Sequence, residues 1–461
     1  MKTQGPGSVF IVHAVDTEGP LYESLEATFK RIRDDFGVAL SPTRRILQEI
    51  SSGALDLGAK HEAIADFVSA GQIGTYNATW DQLDAMHETV MDESWRARFP
   101  DSAGRPYVVS WHCLDHVGFV DNPRRRAIGF HQVFDYYRLL LKRYNVSRDR
   151  LYWHFHPVGF SRQANRFGRN WSYANTHNEI LARRVIDRRW FPAAYRPGGH
   201  MEHYDANTWL EAWIPFDLAN QNMADNPGMD KLLQAGRIPG SFGDWRTAPT
   251  TWEIYHPSLY NPARGGSLQR WIGRCLNINA RHSNITPDEV RAAFRRARNG
   301  EHTLLSVCNH DHRDMIGEIE TFTSMILSVG KEFPGVPFRW ANAVEAFRKV
   351  LGLRSTEPPV FEFTLDEKNL VVRASHHIWG VQPFLALKTV EGNYYHDNFI
   401  VDGPMQWTYP FDMTTIDRRS LSHIGIGCND AAGNVTVAVC RLDGSEEWET
   451  TTHNTADWLE G

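Results

Sequence analysis

No apolar stretch of the sequence approaches the roughly twenty residues that are needed to span a bilayer. The first seven residues also lack the apolar core of a signal peptide. We therefore expect a soluble, cytoplasmic protein without a membrane partner. Long runs of one charge sign are missing too, and 49 basic against 55 acidic side chains give a net charge of -6. Because nucleic-acid-binding domains carry clustered basic residues, no nucleic-acid partner is expected.

Cysteine is scarce: the chain has five, an odd number, and no two of them form a C-x-x-C pair. This pattern argues against a disulfide framework and against a zinc ribbon. Histidine and tryptophan are instead abundant, with 21 and 16 residues. Histidine suits metal or proton chemistry, and tryptophan offers flat apolar faces to a ligand.

Apolar, strand-like runs alternate with helical segments through most of the chain, which is the pattern of βα units. Strands are predicted at residues 107–111, 151–155 and 303–307, where β-branched and aromatic residues are frequent. Helices are predicted to begin at Ser41-Pro42 and at Thr286-Pro287, because a capping residue precedes proline there. The fold class expected from this alternation is α/β.

The alternation of strand-like and helical segments ends at the proline-rich stretch at 355–359, which is typical of a linker. Short strand-like runs then follow one another, separated by Asn, Asp and Gly, as in a small antiparallel β-sandwich. At 461 residues the chain also exceeds the usual single-domain size. We therefore predict a large catalytic barrel domain over residues 1–355 and a β-sandwich accessory domain over residues 360–461.

Two carboxylates, Asp16 and Glu18, closely follow the apolar run at residues 9–12. In a strand, residues two apart point to the same side, so both side chains would project together from the strand's carboxyl end. Like charges placed together repel unless a cation binds them. In α/β enzymes, the carboxyl ends of strands surround the cleft. The pair therefore indicates a metal or general-base site, with a solvated turn as the alternative.

A second polar pair, His154 and His156, lies at the end of the predicted strand at 151–155, which Pro157 terminates. Both imidazoles would share one face at the strand's carboxyl edge, as the two carboxylates do. A divalent metal held by one carboxylate and two imidazoles keeps coordination positions open for water. The alternative is a pair of surface histidines without a ligand.

Three later segments also place polar groups directly after apolar runs: 195–200 with Arg196, 213–220 with Asp217, and 307–314 with His310 and His312. The order of all these motifs resembles that of the polysaccharide deacetylase superfamily, the NodB-like carbohydrate esterase family four, with this chain as a divergent member. The resemblance implies a distorted (β/α) barrel of the NodB-like type for the first domain.

The resemblance also assigns roles around a metal, for which zinc is the expected ion. It makes Asp16 the general base and Glu18 a metal ligand, with an exchange of these two roles left open. It makes His154 and His156 the remaining ligands, although the family usually spaces these two histidines four residues apart rather than two.

Away from the metal, the resemblance makes Arg196 the residue that orients the base and Asp217 the residue that supports Arg196. His310 would be the general acid, and His312 is a competing candidate. A salt bridge within a loop is the alternative interpretation of Arg196.

The implied reaction is metal-dependent hydrolysis of an amide or an ester. Asp16 would take a proton from metal-bound water, and His310 would protonate the leaving nitrogen. The expected activity is deacetylation of an N-acetylated sugar or a polysaccharide-related substrate. Two alternatives stay open: a hydrolase of a non-sugar amide, and a catalytically inactive protein that binds carbohydrate. The sequence does not indicate an oligomeric state.

Four residues are candidate substrate contacts. Asp115 and His116 follow the predicted strand at 107–111, so either could line the same cleft. Trp245 begins an aromatic segment that could stack on a sugar ring or simply cover the barrel. His312 is the fourth candidate.

Overall fold

The computed structural model describes residues 5–69, 76–115, 129–160, 162, 168, 170–234, 243–280, 282–354 and 357–455. Within these residues, seven parallel strands close into a barrel, because β1 pairs with both β2 and β7. The strands of the ring are β1 Val9–Thr17, β2 Val109–Leu114, β3 Arg150–Phe155, β4 Ala194–Pro197, β5 Phe216–Asn220, β6 Trp271–Asn277 and β7 Thr303–His310. The prediction of a parallel α/β barrel is confirmed, and its assignment to the NodB-like type stays a prediction.

An eighth strand, β8 Phe338–Trp340, fills only part of the wall. It pairs with residues 9–11 of β1, whereas β2 pairs with residues 13–17 of the same strand. Since β7 runs along the other edge of β1, β8 and β2 share one edge at different heights. The barrel is therefore widened at its amino end and closed by seven strands at its carboxyl end.

The described helices are α1 Leu25–Phe36, α2 Arg44–Ser51, α3 His61–Ser69, α4 Trp80–Val90, α5 Glu93–Arg96, α6 Gln132–Arg143, α7 Thr176–Arg188, α8 Tyr204–Trp213, α9 Pro227–Gln234, α10 Pro287–Arg298, α11 Met315–Lys331 and α12 Ala343–Leu351. Most of them bury apolar residues in the same core as the strands of the ring. The helices α1, α2 and α3 instead pack against one another in a separate apolar cluster. Among the described residues, no helix combines the length and the apolar character that crossing a membrane requires.

The two helix starts predicted from capping residues have different outcomes. Thr286 caps α10 by accepting a hydrogen bond from the Glu289 N–H, with proline in the first turn, as predicted. The helix expected at Pro42 begins two residues later at Arg44, because the side chain of Thr43 accepts the Ile46 N–H and makes Thr43 the cap.

The chain beyond residue 360 forms two antiparallel sheets. A four-stranded sheet has the order β13-β14-β10-β9, and a five-stranded sheet has the order β12-β11-β15-β16-β17. The strands are β9 Phe361–Leu365, β10 Asn369–Ala374, β11 Phe384–Thr389, β12 Tyr394–Asp397, β13 Ile400–Gly403, β14 Gln406–Pro410, β15 Leu421–Asn429, β16 Val435–Arg441 and β17 Trp448–His453. Both sheets contribute to one buried apolar cluster, as a sandwich requires. The domain boundaries stay a prediction.

The sandwich packs against the end of the barrel where β4 and β5 begin. Asn429 donates hydrogen bonds to the carbonyl oxygens of Pro192 and Trp213, which lie just before these two strands. Asp187, near the end of α7, accepts a hydrogen bond from Tyr394 at 2.8 Å and pairs with Lys388 at 3.2 Å. The sandwich is therefore placed away from the carboxyl ends of the barrel strands.

Candidate metal and catalytic site

An ion pair crosses the inside of the barrel near the carboxyl ends of the strands. Arg196 of β4 donates from Nε to Asp16 Oδ1 at 2.6 Å and from Nη2 to Asp16 Oδ2 at 3.0 Å. Burial alone lowers the pKa of Arg196, but the Asp16 carboxylate raises it well above its ordinary value. This bidentate contact fixes the orientation of the Asp16 side chain.

Three further side chains converge beside this ion pair. Glu18, His154 and His156 each offer one ligand atom, and these atoms all lie within 4.8 Å of one another. The two Nε2 atoms are 3.1 Å apart, and Glu18 Oε1 lies 3.5 Å from His156 Nε2 and 3.9 Å from His154 Nε2. One carboxylate and two imidazoles form a donor set found in catalytic zinc sites.

The surroundings of the two histidines suit this donor set. His154 Nδ1 donates to the Arg196 carbonyl oxygen at 2.9 Å, so in the neutral ring the lone pair is on Nε2, the atom near His156 and Glu18. The loop after β4 passes so close to His156 that a Cβ atom on Gly198 would lie 2.6 Å from the imidazole Cγ. Only glycine fits there without displacing the ring. The residues present therefore fit a divalent cation.

His310, at the end of β7, is the most accessible residue of the group. Its Nε2 lies 3.7 Å from Glu18 Oε1 and 4.0 Å from Asp16 Oδ2. Its side chain is 29% exposed, compared with 1% for His154 and 12% for His156. His310 therefore stands between the buried polar group and the solvent.

His312 lies next to His310 but is more enclosed. The two ring centroids are 5.1 Å apart, and the other side of His312 meets the ring of Tyr76 in an edge-on contact at 5.2 Å. Only 6% of the surface of His312 is exposed to solvent. The two histidines of the motif are therefore neighbours that differ in their access to solvent.

His200 also belongs to the site, and no role was predicted for it from the sequence. Arg196 Nη2 lies 3.3 Å from His200 Nδ1, and since arginine can only donate, Nδ1 accepts and the neutral ring carries its proton on Nε2. Burial and the Arg196 charge hold the pKa of His200 well below its ordinary value. Its φ angle of 53° lies in the left-handed region, where residues other than glycine are uncommon. The position of His200 directly after Gly198-Gly199 was the available signal.

Asp217 does not support Arg196, which corrects the prediction. It pairs with Tyr195 in the register between β4 and β5, so its side chain lies on the opposite face of the wall from Arg196. There Arg270 binds both Asp217 and Glu202. Arg196 Nη1 instead donates to the Leu218 carbonyl oxygen at 3.0 Å.

Two of the predicted substrate contacts, Asp115 and Trp245, are buried in other contacts. Asp115 is buried on the helix side of β2, where it binds Arg184 of α7 and the indole N–H of Trp153. Burial raises the pKa of Asp115 to about 6. Trp245 is 5% exposed in an apolar cluster and donates to the His200 carbonyl oxygen, so it covers the barrel rather than presenting a flat face. His116 lies outside the described residues.

No family model matches this chain, and no curated protein sequence is similar to it at a significant level. Among solved structures, the chain matches a modular endo-β-1,4-mannanase of glycoside hydrolase family 26 from Cellulomonas fimi. The match has 11% sequence identity, covers 97% of this chain and 93% of that chain, and has a TM-score of 0.23. At that TM-score the likeness indicates neither the fold nor the activity of this chain.

Proposed function

We propose that the protein is a metal-dependent hydrolase that removes the acetyl group from an N-acetylated sugar or a related glycan. One observation carries this proposal: Glu18, His154 and His156 converge on one point, beside a carboxylate that Arg196 holds with two hydrogen bonds. A structural ion pair would need neither the two facing imidazoles nor the open side at His310.

A divalent cation bound by Glu18, His154 and His156, with zinc as the expected ion, would supply Lewis acidity toward water and a substrate carbonyl. Glu18 is the better ligand of the two acids, because its carboxylate faces both imidazoles while Asp16 is bound by Arg196. Asp16 keeps lone pairs beyond the two that Arg196 occupies. It accepts the proton of the attacking water in this mechanism.

The general acid in this mechanism is His310. The attacking water forms a bond to the carbonyl carbon, the C–N bond breaks, and the imidazolium of His310 gives its proton to the departing nitrogen. Its Nε2 lies near both acids and its side chain reaches the open side, from which a substrate must enter. The more enclosed His312 stays the competing acid.

The substrate class rests on different grounds from the reaction. Hydrolysis of an amide or ester is supported by the site geometry, whereas the sugar is supported by the order of the motifs along the chain. A non-sugar amide would need the same residues, so the two substrates must be separated by assay. The sandwich lies at the other end of the barrel and does not contribute to the cleft through the contacts described above.

The test is a metal-dependent acetate-release assay. The purified protein is stripped with a chelator, reloaded with zinc, and offered N-acetylglucosamine, its oligomers and N-acetylated amino acids. We expect zinc to bind at one equivalent and to restore acetate release from the sugars. Release from the amino acids alone would move the assignment to a non-sugar amide hydrolase. Bound zinc without turnover of any substrate would favour a binding protein, and the absence of zinc binding would remove the mechanism.

A further inference from the structure

The carboxylate of Asp311 makes an arrangement of hydrogen bonds that the mechanism above does not use. Its Oδ1 accepts the Glu18 N–H at 2.8 Å, and its Oδ2 accepts the Gly19 N–H at 2.9 Å. The hydroxyl of Tyr137 donates to the same Oδ2 at 2.9 Å. The residue is completely buried. Asp311 therefore binds the backbone of the residue that carries the carboxylate of the metal site.

Glu18 needs such support because it lies one residue beyond the end of β1 at Thr17. The sheet no longer holds the chain there, and Gly19 adopts a φ of 73°, which turns the backbone sharply. Hydrogen bonds from backbone N–H groups to a buried carboxylate are charge-assisted and therefore strong. They connect the loop after β1 to the loop after β7.

The Asp311 carboxylate, with its hydrogen bonds to the Glu18 and Gly19 N–H groups, forms a clamp that side chains of the surrounding helices hold in place. Tyr137 belongs to α6, and its hydroxyl also lies 2.9 Å from Nε2 of His87 on α4. Both side chains are fully buried. Asp311 directly follows β7, and its carboxylate is held by Tyr137 of α6, whose hydroxyl contacts His87 of α4.

We propose that Asp311 is a positioning residue for the metal site, which holds the Glu18 carboxylate in place without binding the cation. This inference depends on the proposed function only through the cation that Glu18, His154 and His156 would bind. Polar partners behind metal ligands typically contribute about 10-fold to 100-fold to metal affinity. Loss of the clamp lets the Glu18 backbone move and should weaken the metal site while leaving its three ligands present.

The test compares zinc affinity in four proteins: the wild type, Asp311→Asn, Tyr137→Phe and the control Asp149→Asn. Asp149 is a buried carboxylate that binds Arg96 and Trp111, so the control measures the general effect of such a substitution. Affinity is measured by competition with a chromophoric chelator, and the visible spectrum of the cobalt-loaded proteins reports ligand geometry. Thermal unfolding and circular dichroism establish that each protein is folded.

We expect Asp311→Asn to weaken zinc binding by about 10-fold to 100-fold and to alter the cobalt spectrum. Tyr137→Phe should weaken it by about threefold, since the two backbone hydrogen bonds remain. Asp149→Asn should lower the melting temperature and leave zinc affinity within about twofold of wild type.

Two results overturn the inference and leave the proposed function intact: an unchanged affinity in folded Asp311→Asn, or an equal loss in Asp149→Asn. If Asp311→Asn does not fold, an unchanged affinity in Tyr137→Phe overturns it instead. A wild-type protein that binds no zinc overturns both the proposed function and the inference.

Discussion

Two buried arginine–carboxylate contacts lie close together on opposite faces of the barrel wall. Inside the barrel, Arg196 binds Asp16. On the helix side, Arg270 binds Asp217 and Glu202 and also donates to Asn207 of α8 at 2.6 Å. Both groups use the same chemistry and are excluded from solvent. They lie on opposite sides of the wall and therefore have different neighbours.

That difference decides what each contact can do. The inner contact adjoins His154 and His200 and lies 4.0 Å from His310, which opens to solvent. The outer contact is buried, and Asn207 of α8 also binds Arg270 there. A buried ion pair therefore indicates a catalytic site only when it borders an accessible group of proton donors or metal ligands.

The largest expected effect is the loss of activity in Asp16→Asn. The amide cannot accept the proton of the attacking water, so the rate of acetate release should fall by about 100-fold to 10,000-fold. Zinc content should remain at the wild-type level, because Asp16 is not one of the three converging ligands. The measurement is turnover per zinc-loaded molecule, with Asp217→Asn as the matched control. Activity within about tenfold of wild type would contradict the role of Asp16 as the base.

A smaller effect is expected on metal affinity in Gly198→Ala. The added Cβ would overlap the ring of His156 and displace one proposed ligand. We expect zinc affinity to fall by about tenfold or more, as measured by chelator competition. Gly265→Ala is the control, since a Cβ there meets no atom within 4 Å. Equal affinity in the two variants would show that His156 is not held against the loop after β4.

The outer contact should instead govern stability. Asp217→Asn weakens one of the two carboxyl contacts of Arg270 and should reduce the free energy of unfolding by about 1–3 kcal/mol. Because Glu202 and Asn207 still bind Arg270, the fold should survive. Urea unfolding gives the stability, and activity per folded molecule should stay within about twofold of wild type. A loss of activity without a loss of stability would show that Asp217 takes part in catalysis and would contradict this prediction.

The smallest expected effect is a pH dependence of the difference in unfolding free energy between the wild type and Asp217→Asn. Burial and the neighbouring Glu202 raise the pKa of Asp217 well above its ordinary value of 3.8. Above pH 3.8, the Asp217 carboxyl therefore binds a larger fraction of a proton in the folded wild type than in the unfolded chain, and the contribution of this group to stability falls as the pH rises. Asp217→Asn lacks this titration, so its stability deficit should shrink between pH 5 and pH 8. Urea unfolding at several pH values measures this, and a constant or growing deficit would contradict it.

The sequence was sufficient to predict the residues that point into the barrel from strands with clear apolar runs. Asp16 and Glu18 follow one such run and His154 and His156 end another, so their two-residue spacing predicted a shared face. The carboxyl ends of parallel strands then brought the two pairs together. The fold-level prediction succeeded for the same reason, since buried parallel strands are nearly continuous apolar segments.

Other assignments needed the register and the loops, which the sequence alone does not specify. Asp217 lies in a short strand, where a shift of one residue exchanges the inner and outer faces. The role of His200 depends on a left-handed backbone conformation after Gly199. Asp311 acts through hydrogen bonds to the backbone of a residue 293 positions away, a contact that no local pattern reports.

The most direct test of the central claim is the position of zinc in a crystal of the metal-loaded protein, located by anomalous scattering at the zinc edge. We expect one strong peak at about 2.0–2.2 Å from a Glu18 carboxylate oxygen and from the Nε2 atoms of His154 and His156. A peak bound by other residues, or no peak at this point in a crystal grown with excess zinc, would contradict the metal site and the mechanism built on it.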